Sequence, residues 1–158
     1  MHGRRSTRRL FTALAAATVI AAAFTFGSAT AGASDATSHL SGGGTASISQ
    51  VAMNVTIADS GSASGNFECL MAGRSSFVLG AFGLSHIMDV HATPTSGSVS
   101  WPVVRFSGPG RLTMDGGQHA SIDVIVWANV LTQQFQLTVV GFPLMPVESF
   151  MSGGITLR

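Results

Sequence analysis

His86, Asp89 and His91 form the densest run of metal-ligating and acid–base side chains in the chain. Side chains alternate along an extended strand, so Asp89 and His91 share one face and His86 takes the other. Two donors on one face fall short of the three or four that hold a zinc ion. Glu68, outward on the preceding strand, is the candidate third group, and His119 could approach from another strand. Glu68, Asp89 and His91 are therefore the candidates for a metal site, and for the active site if the chain is a small secreted enzyme. His86 alone reads more simply as a core histidine satisfied by a backbone carbonyl, or one near a barrel mouth.

Other chemistries find little support. Gly61-Ser62-Ala63-Ser64-Gly65 lacks the G-x-S-x-G spacing and the strand-to-helix setting of a nucleophile elbow. Glycosidase chemistry needs two facing carboxyl groups, and no pair among the seven acids is marked by its context. Gly42-Gly43-Gly44 leads into no helix and offers no phosphate cradle. No catalytic residue and no cofactor is assigned. A binding role has better candidates: Trp101, Arg105 and Trp127 lie on faces of apolar strands. An arginine ending such a face can grip a carboxylate, although an arginine that snorkels to water is commoner.

Short apolar runs separated by Gly, Ser, Pro and Asp must position these residues. Val51, Met53, Val55 and Ile57 alternate with smaller or polar side chains, the period of a half-buried strand. Phe67, Cys69 and Met71 repeat the pattern, and a third strand runs from Leu84 to Ala92. Thr93 to Gly97 is turn chemistry, followed by a strand from Val99 to Phe106 in which Pro102 marks an edge or bulge. Gly108-Pro109-Gly110 and Asp115-Gly116-Gly117 are read as turns around Arg111–Met114. Ala120–Ala128 points Ile122, Val124 and Val126 inward; Phe135, Leu137 and Val139 form a seventh strand, and residues 154–158 close the set. No window carries a helical period. The expected fold is all-β, seven to eight antiparallel strands in an up-and-down or partly rolled barrel, with a sandwich as the alternative.

Two strands are apolar on both faces. Ile125 and Trp127 join Ile122, Val124 and Val126 on one; Val99 to Phe106 is the other. Such a strand is covered on both sides. Either the 141–150 segment, with Phe142, Leu144, Met145 and Val147, packs over it, or it is a ligand or partner surface.

The first 33 residues read as an address. Arg4, Arg5, Arg8 and Arg9 precede an apolar run from Leu10 to Phe26 and a small-residue exit at Ala29 to Ala33, the three parts of a secretory signal peptide. Arg8-Arg9-Leu10 also fits twin-arginine export, so the route stays open. The apolar run is shorter than the roughly 20 residues of a spanning helix, which favours cleavage near Ser34 and no stable membrane insertion afterwards. Residues 34–44 read as a flexible Ser/Gly-rich tether, and 45–158 as a single β-domain. Beyond the leader four arginines face seven acids, leaving a net charge of −3. That sparse balance argues against nucleic acid as a partner. The chain has no lysine or tyrosine, a composition typical of GC-rich bacterial genomes. Cys69 is the only cysteine, so no intramolecular disulfide forms, and its apolar neighbours at strand spacing point to burial.

Phe67-Glu68-Cys69-Leu70-Met71-Ala72-Gly73-Arg74, Phe106-Ser107-Gly108-Pro109-Gly110-Arg111-Leu112 and Gly153-Gly154-Ile155-Thr156-Leu157 resemble strand-and-turn strings of small exported bacterial proteins in which a signal peptide precedes one Gly-punctuated β-domain. The resemblance spans most of residues 44–158 and implies no activity. The function expected from the sequence is a secreted, non-catalytic domain with a binding or structural role, an apolar small molecule being the ligand suited to its interior. The alternative is an interaction protein, a homodimer or cell-surface partner, docking through Trp101, Ile125 and Trp127.

Overall fold

The alternation at Val51–Ile57 makes a strand because every second side chain can leave water while the rest stay solvated. The computed structural model describes residues 36–72, 87–115 and 117–158, all in the unit Ala33–Arg158; the leader, Arg74, His86 and Gly116 lie outside the described residues. Nine strands follow one another: β1 (Thr37–Ala46), β2 (Gln50–Ala58), β3 (Ala63–Ala72), β4 (Ile87–Ala92), β5 (Ser96–Ser100), β6 (Val103–Met114), β7 (Gln118–Asn129), β8 (Gln134–Val139) and β9 (Glu148–Leu157). Every pairing is antiparallel. They form one sheet in the order β4-β3-β2-β1-β9-β8-β7-β6-β5, and β4 also pairs with β6, which closes eight strands into a ring of hydrogen bonds. The all-β, up-and-down expectation holds, as one sheet rather than the two of a sandwich. Closure leaves few free edges, the weak point of an open sheet.

Four local expectations are corrected. Thr37–Ala46, which takes up most of the tether expected over residues 34–44 and runs past its end, is β1, paired with β2 on one side and β9 on the other. Its glycines are required there. Gly44 (φ 151°) and Gly153 (φ 78°) face each other, and a Cβ on Gly153 would run into the Gly43 carbonyl. Gly108-Pro109-Gly110 is no turn but the middle of β6. The Pro109 carbonyl accepts from Thr93 N at 2.9 Å, so the donor that proline lacks would point at the break between β4 and β5. Thr93–Thr95, the expected reversal, only interrupts one long strand: β4 pairs with β6 at Ala92–Gly110 and β5 resumes at Ser96–Ser107. The true reversal lies at Trp101-Pro102, joined by a cis peptide, inside the single strand expected over Val99–Phe106.

The inward row is apolar from every side of the ring. Val51, Met53, Val55 and Ile57 are buried as expected, as are Phe67, Cys69, Met71, Met88, Val90, Val124, Val126, Phe135, Leu137 and Val139; Ile122 is only half-buried. Phe67 and Phe106 meet edge to face at 5.8 Å between ring centres. Such a pair adds roughly 1 kcal/mol to what burial alone contributes.

The seam between β8 and β9 has only two rungs, Gln134–Ser149 and Phe135–Glu148. Side chains complete it. The Gln133 amide accepts from Ile155 N at 2.8 Å and donates to the Ile155 carbonyl at 3.0 Å, standing in for a missing strand residue. Gln136 donates to the Met145 carbonyl at 2.7 Å, and Met145 is buried in the core. The 141–150 segment therefore supports the open stretch of β8. It leaves the outer face of β7 uncovered, since Ile125 remains 46% exposed.

Candidate binding face

On the outer side of β3 and β4 the register places Glu68 directly opposite His91. Asp89 is two residues before His91 and shares its face. The three groups meet: His91 Nε2 lies 2.9 Å from Asp89 Oδ2, and His91 Nδ1 lies 3.5 Å from Glu68 Oε1. The structure thus brings the sequence candidates together, with both ring nitrogens of His91 turned to carboxylates. Among the described residues no set of three or more His, Cys, Asp or Glu side chains is arranged to hold a metal ion. His119 bonds elsewhere, its Nδ1 lying 3.1 Å from Oγ1 of Thr113, directly opposite on β6. All three cluster members are solvent-exposed by about a third to a half, at the margins of two open depressions of about 500 and 560 Å³. Among the described residues, no hydroxyl or thiol nucleophile bonds to this histidine. The cluster can hydrogen-bond and carry charge; exposed pairs of this kind contribute little to stability.

A second acid site escaped the sequence reading. Glu148 is 2% exposed and accepts from Ile48 N at 2.9 Å, Ser49 N at 3.0 Å and the Ser49 hydroxyl at 2.9 Å. These partners lie about a hundred residues away in sequence, on the β1–β2 turn. A buried carboxylate persists because its oxygens are so well supplied with donors. Cys69 packs nearby, fully buried, and burial pushes its thiol up to about 12; its hydrogen bond to Ser49 lowers it and the Glu148 and Asp89 charges raise it. A thiol held protonated is a poor nucleophile, which removes Cys69 from any chemistry at neutral pH. No sequence signal marks Glu148, whose partners are supplied only by the closed ring.

Trp101, Arg105 and Trp127 gather on the outside of β6 and β7. The register sets Arg105 directly opposite Trp127, with Ser107–Ile125 the next outward rung and Pro109–Asp123 the one after. Trp101 caps the same end from the β5–β6 turn, 65% exposed, and the neighbouring β7–β8 turn adds Leu131, also 65% exposed; Val130 N donates to the Pro102 carbonyl between the two turns. Arg105, Ser107 and Ile125 line a shallow depression of about 290 Å³. Eight large apolar side chains are exposed among the described residues, and three of them, Trp101, Ile125 and Leu131, lie on β7 or these two turns. Asp123 and Leu131 are members of this face that the sequence reading does not reach; alternation from Trp127 back to Asp123 is the signal that finds the first of them.

At the levels described the inward side chains are buried and mostly apolar. At the end of the ring near the β2–β3 turn, Ser38, Ile57, Asp59, Gly97 and Val99 surround a depression of about 240 Å³. Pockets for drug-sized ligands start at about 300 Å³. No protein-family model, curated protein or solved structure matches this chain.

Proposed function

We propose that the chain is an exported, non-catalytic binding domain whose working surface is the outer face of β6 and β7, with the two turns that flank it. One observation carries the reading: Trp101, Ile125 and Leu131, three of the eight exposed large apolar side chains among the described residues, lie on this face or its two turns, beside an arginine and a tryptophan on one rung. Aromatic residues and arginine are the types that dominate binding energy at protein interfaces. A contiguous apolar patch on an otherwise polar domain marks an interaction site. The basic, apolar and small-residue parts of the leader support export, and the mature chain then begins near Ser34.

The chain carries its own reporter, since its only two tryptophans, Trp101 and Trp127, both belong to this face. Acrylamide quenching of tryptophan emission is measured on the dilute purified chain and again with the cell-envelope fraction of its host. Docking through this face shields both indoles and lowers the quenching constant. Unchanged quenching, together with retention of the chain by the envelope, would place the binding surface elsewhere.

A further inference from the structure

Resting on that reading, the geometry points to a second copy of this chain as the occupant of the β6–β7 face, joined by a two-fold axis crossing the strands at the Ser107–Ile125 rung. Across the three rungs centred on Ser107–Ile125 the face carries one cation and one anion, placed symmetrically about the middle rung; a second cation, Arg111, follows on the next outward rung of β6. Arg105 lies one rung pair to one side, opposite Trp127, and Asp123 lies the same distance to the other side, opposite Pro109. Neither side chain makes a hydrogen bond or ion pair with the described residues. Trp127 and Asp123 are four residues apart on one strand, about 14 Å, so Arg105 cannot reach Asp123 within one molecule.

A two-fold axis lying in the interface and perpendicular to the strands lays β6 over β6 and β7 over β7 in the reverse direction. Arg105 of each copy then arrives over the Pro109–Asp123 rung of the other. Both ion pairs form at once, as an isologous interface requires. Ile125 meets its own counterpart at the axis, and each Trp127 arrives beside Asp123 on the Pro109–Asp123 rung of the facing copy. The face is self-complementary in charge, whereas an unrelated apolar partner would leave Arg105 and Asp123 to be desolvated without compensation. The outside of a ring is convex, which confines the contact to a few rungs and makes the dimer a weak one.

Charge reversal tests this directly. In a two-fold dimer, Arg105→Glu sets the new carboxylate against Asp123 twice, and Asp123→Arg sets the new guanidinium against Arg105 twice. Each variant alone should lose at least about 30-fold in dimer affinity by sedimentation velocity. Mixed in equal amounts, the two variants pair with each other and relieve both repulsions, and dimerisation should return well above that of either variant alone. Rescue on mixing also shows that neither variant is misfolded. A wild-type dimer indifferent to either reversal overturns the inference. So does a wild-type chain that stays monomeric while its tryptophans become shielded by the host envelope, and in that case the binding-face reading stands. A monomer whose tryptophans are shielded by nothing overturns both.

Discussion

The two halves of the ring present opposite surfaces. Along β1, β2 and β3 the outward row is largely Ser, Thr, Asn, Gln, Gly and His, and its members bond one another: His39 lies 3.3 Å from Thr56 on the facing rung, and Ser41 lies 3.4 Å from Thr156. Across β3 and β4, His91 sits between two carboxylates in the same way. Along β6 and β7 the outward row is Arg105, Ser107, Asp123, Ile125 and Trp127, and its charged members have no partner among the described residues. Both halves share the same apolar core, so the difference is not about stability. One surface satisfies its polar groups internally; the other leaves its charged groups to solvent and exposes Ile125 among them.

The strongest test of that contrast is to damage what the two halves share. Glu148→Ala leaves two backbone N–H groups and a hydroxyl of the β1–β2 turn buried without their carboxylate acceptor, beside the two-rung seam that holds Glu148, and should cost roughly 3–5 kcal/mol in urea unfolding. A loss below about 1 kcal/mol would mean that the seam is held elsewhere. Trp127→Ser should weaken association by about 2 kcal/mol, about 30-fold, while changing stability by less than about 1 kcal/mol. If both quantities fell together, Trp127 would belong to the core and not to a docking face.

The buried thiol gives a pH test of the interior. Its folded value, about 12, lies above the 9.0 of the unfolded chain, so its contribution is fully present below pH 9 and is lost as pH rises toward 12. Over that window stability should fall by about 1.4 kcal/mol per pH unit from this group. Cys69→Ala should flatten that part of the profile; an unchanged slope would assign it to other groups. The smallest effect belongs to the polar half. His91→Ala should change stability by less than about 1 kcal/mol and leave association untouched, because its contacts with the two carboxylates are exposed. A loss of association comparable to that of Trp127→Ser would move the working surface to β3 and β4.

How much was readable from sequence follows from which signals are local. Alternation gave β2 and the inward residues of β3, β7 and β8, because one buried side of a strand writes a period of two into the chain. It failed for β1, whose Gly42-Gly43-Gly44 carry no side chains to alternate; that strand exists because β2 and β9 supply backbone partners on both sides. Gly108-Pro109-Gly110 carries turn residues in a strand, a conflict resolved only by the break in the neighbouring strand. For the face itself, Trp101, Arg105 and Trp127 were visible as residues on the faces of apolar strands. Their pairing was not, since opposing Arg105 to Trp127 depends on the register of the β6–β7 hairpin. Glu148 was invisible for a stronger reason: its donors sit about a hundred residues away.

Hydroxyl-radical footprinting compares the two halves in a single experiment, because both carry reactive side chains. The chain is oxidised briefly, once dilute and once concentrated with its host envelope, and each site is quantified by mass spectrometry. Binding through β6 and β7 predicts protection at Trp101, Trp127 and Leu131, with His39 and His91 oxidised equally in both conditions. Protection at His39 and His91 with Trp101 and Trp127 unchanged would contradict it.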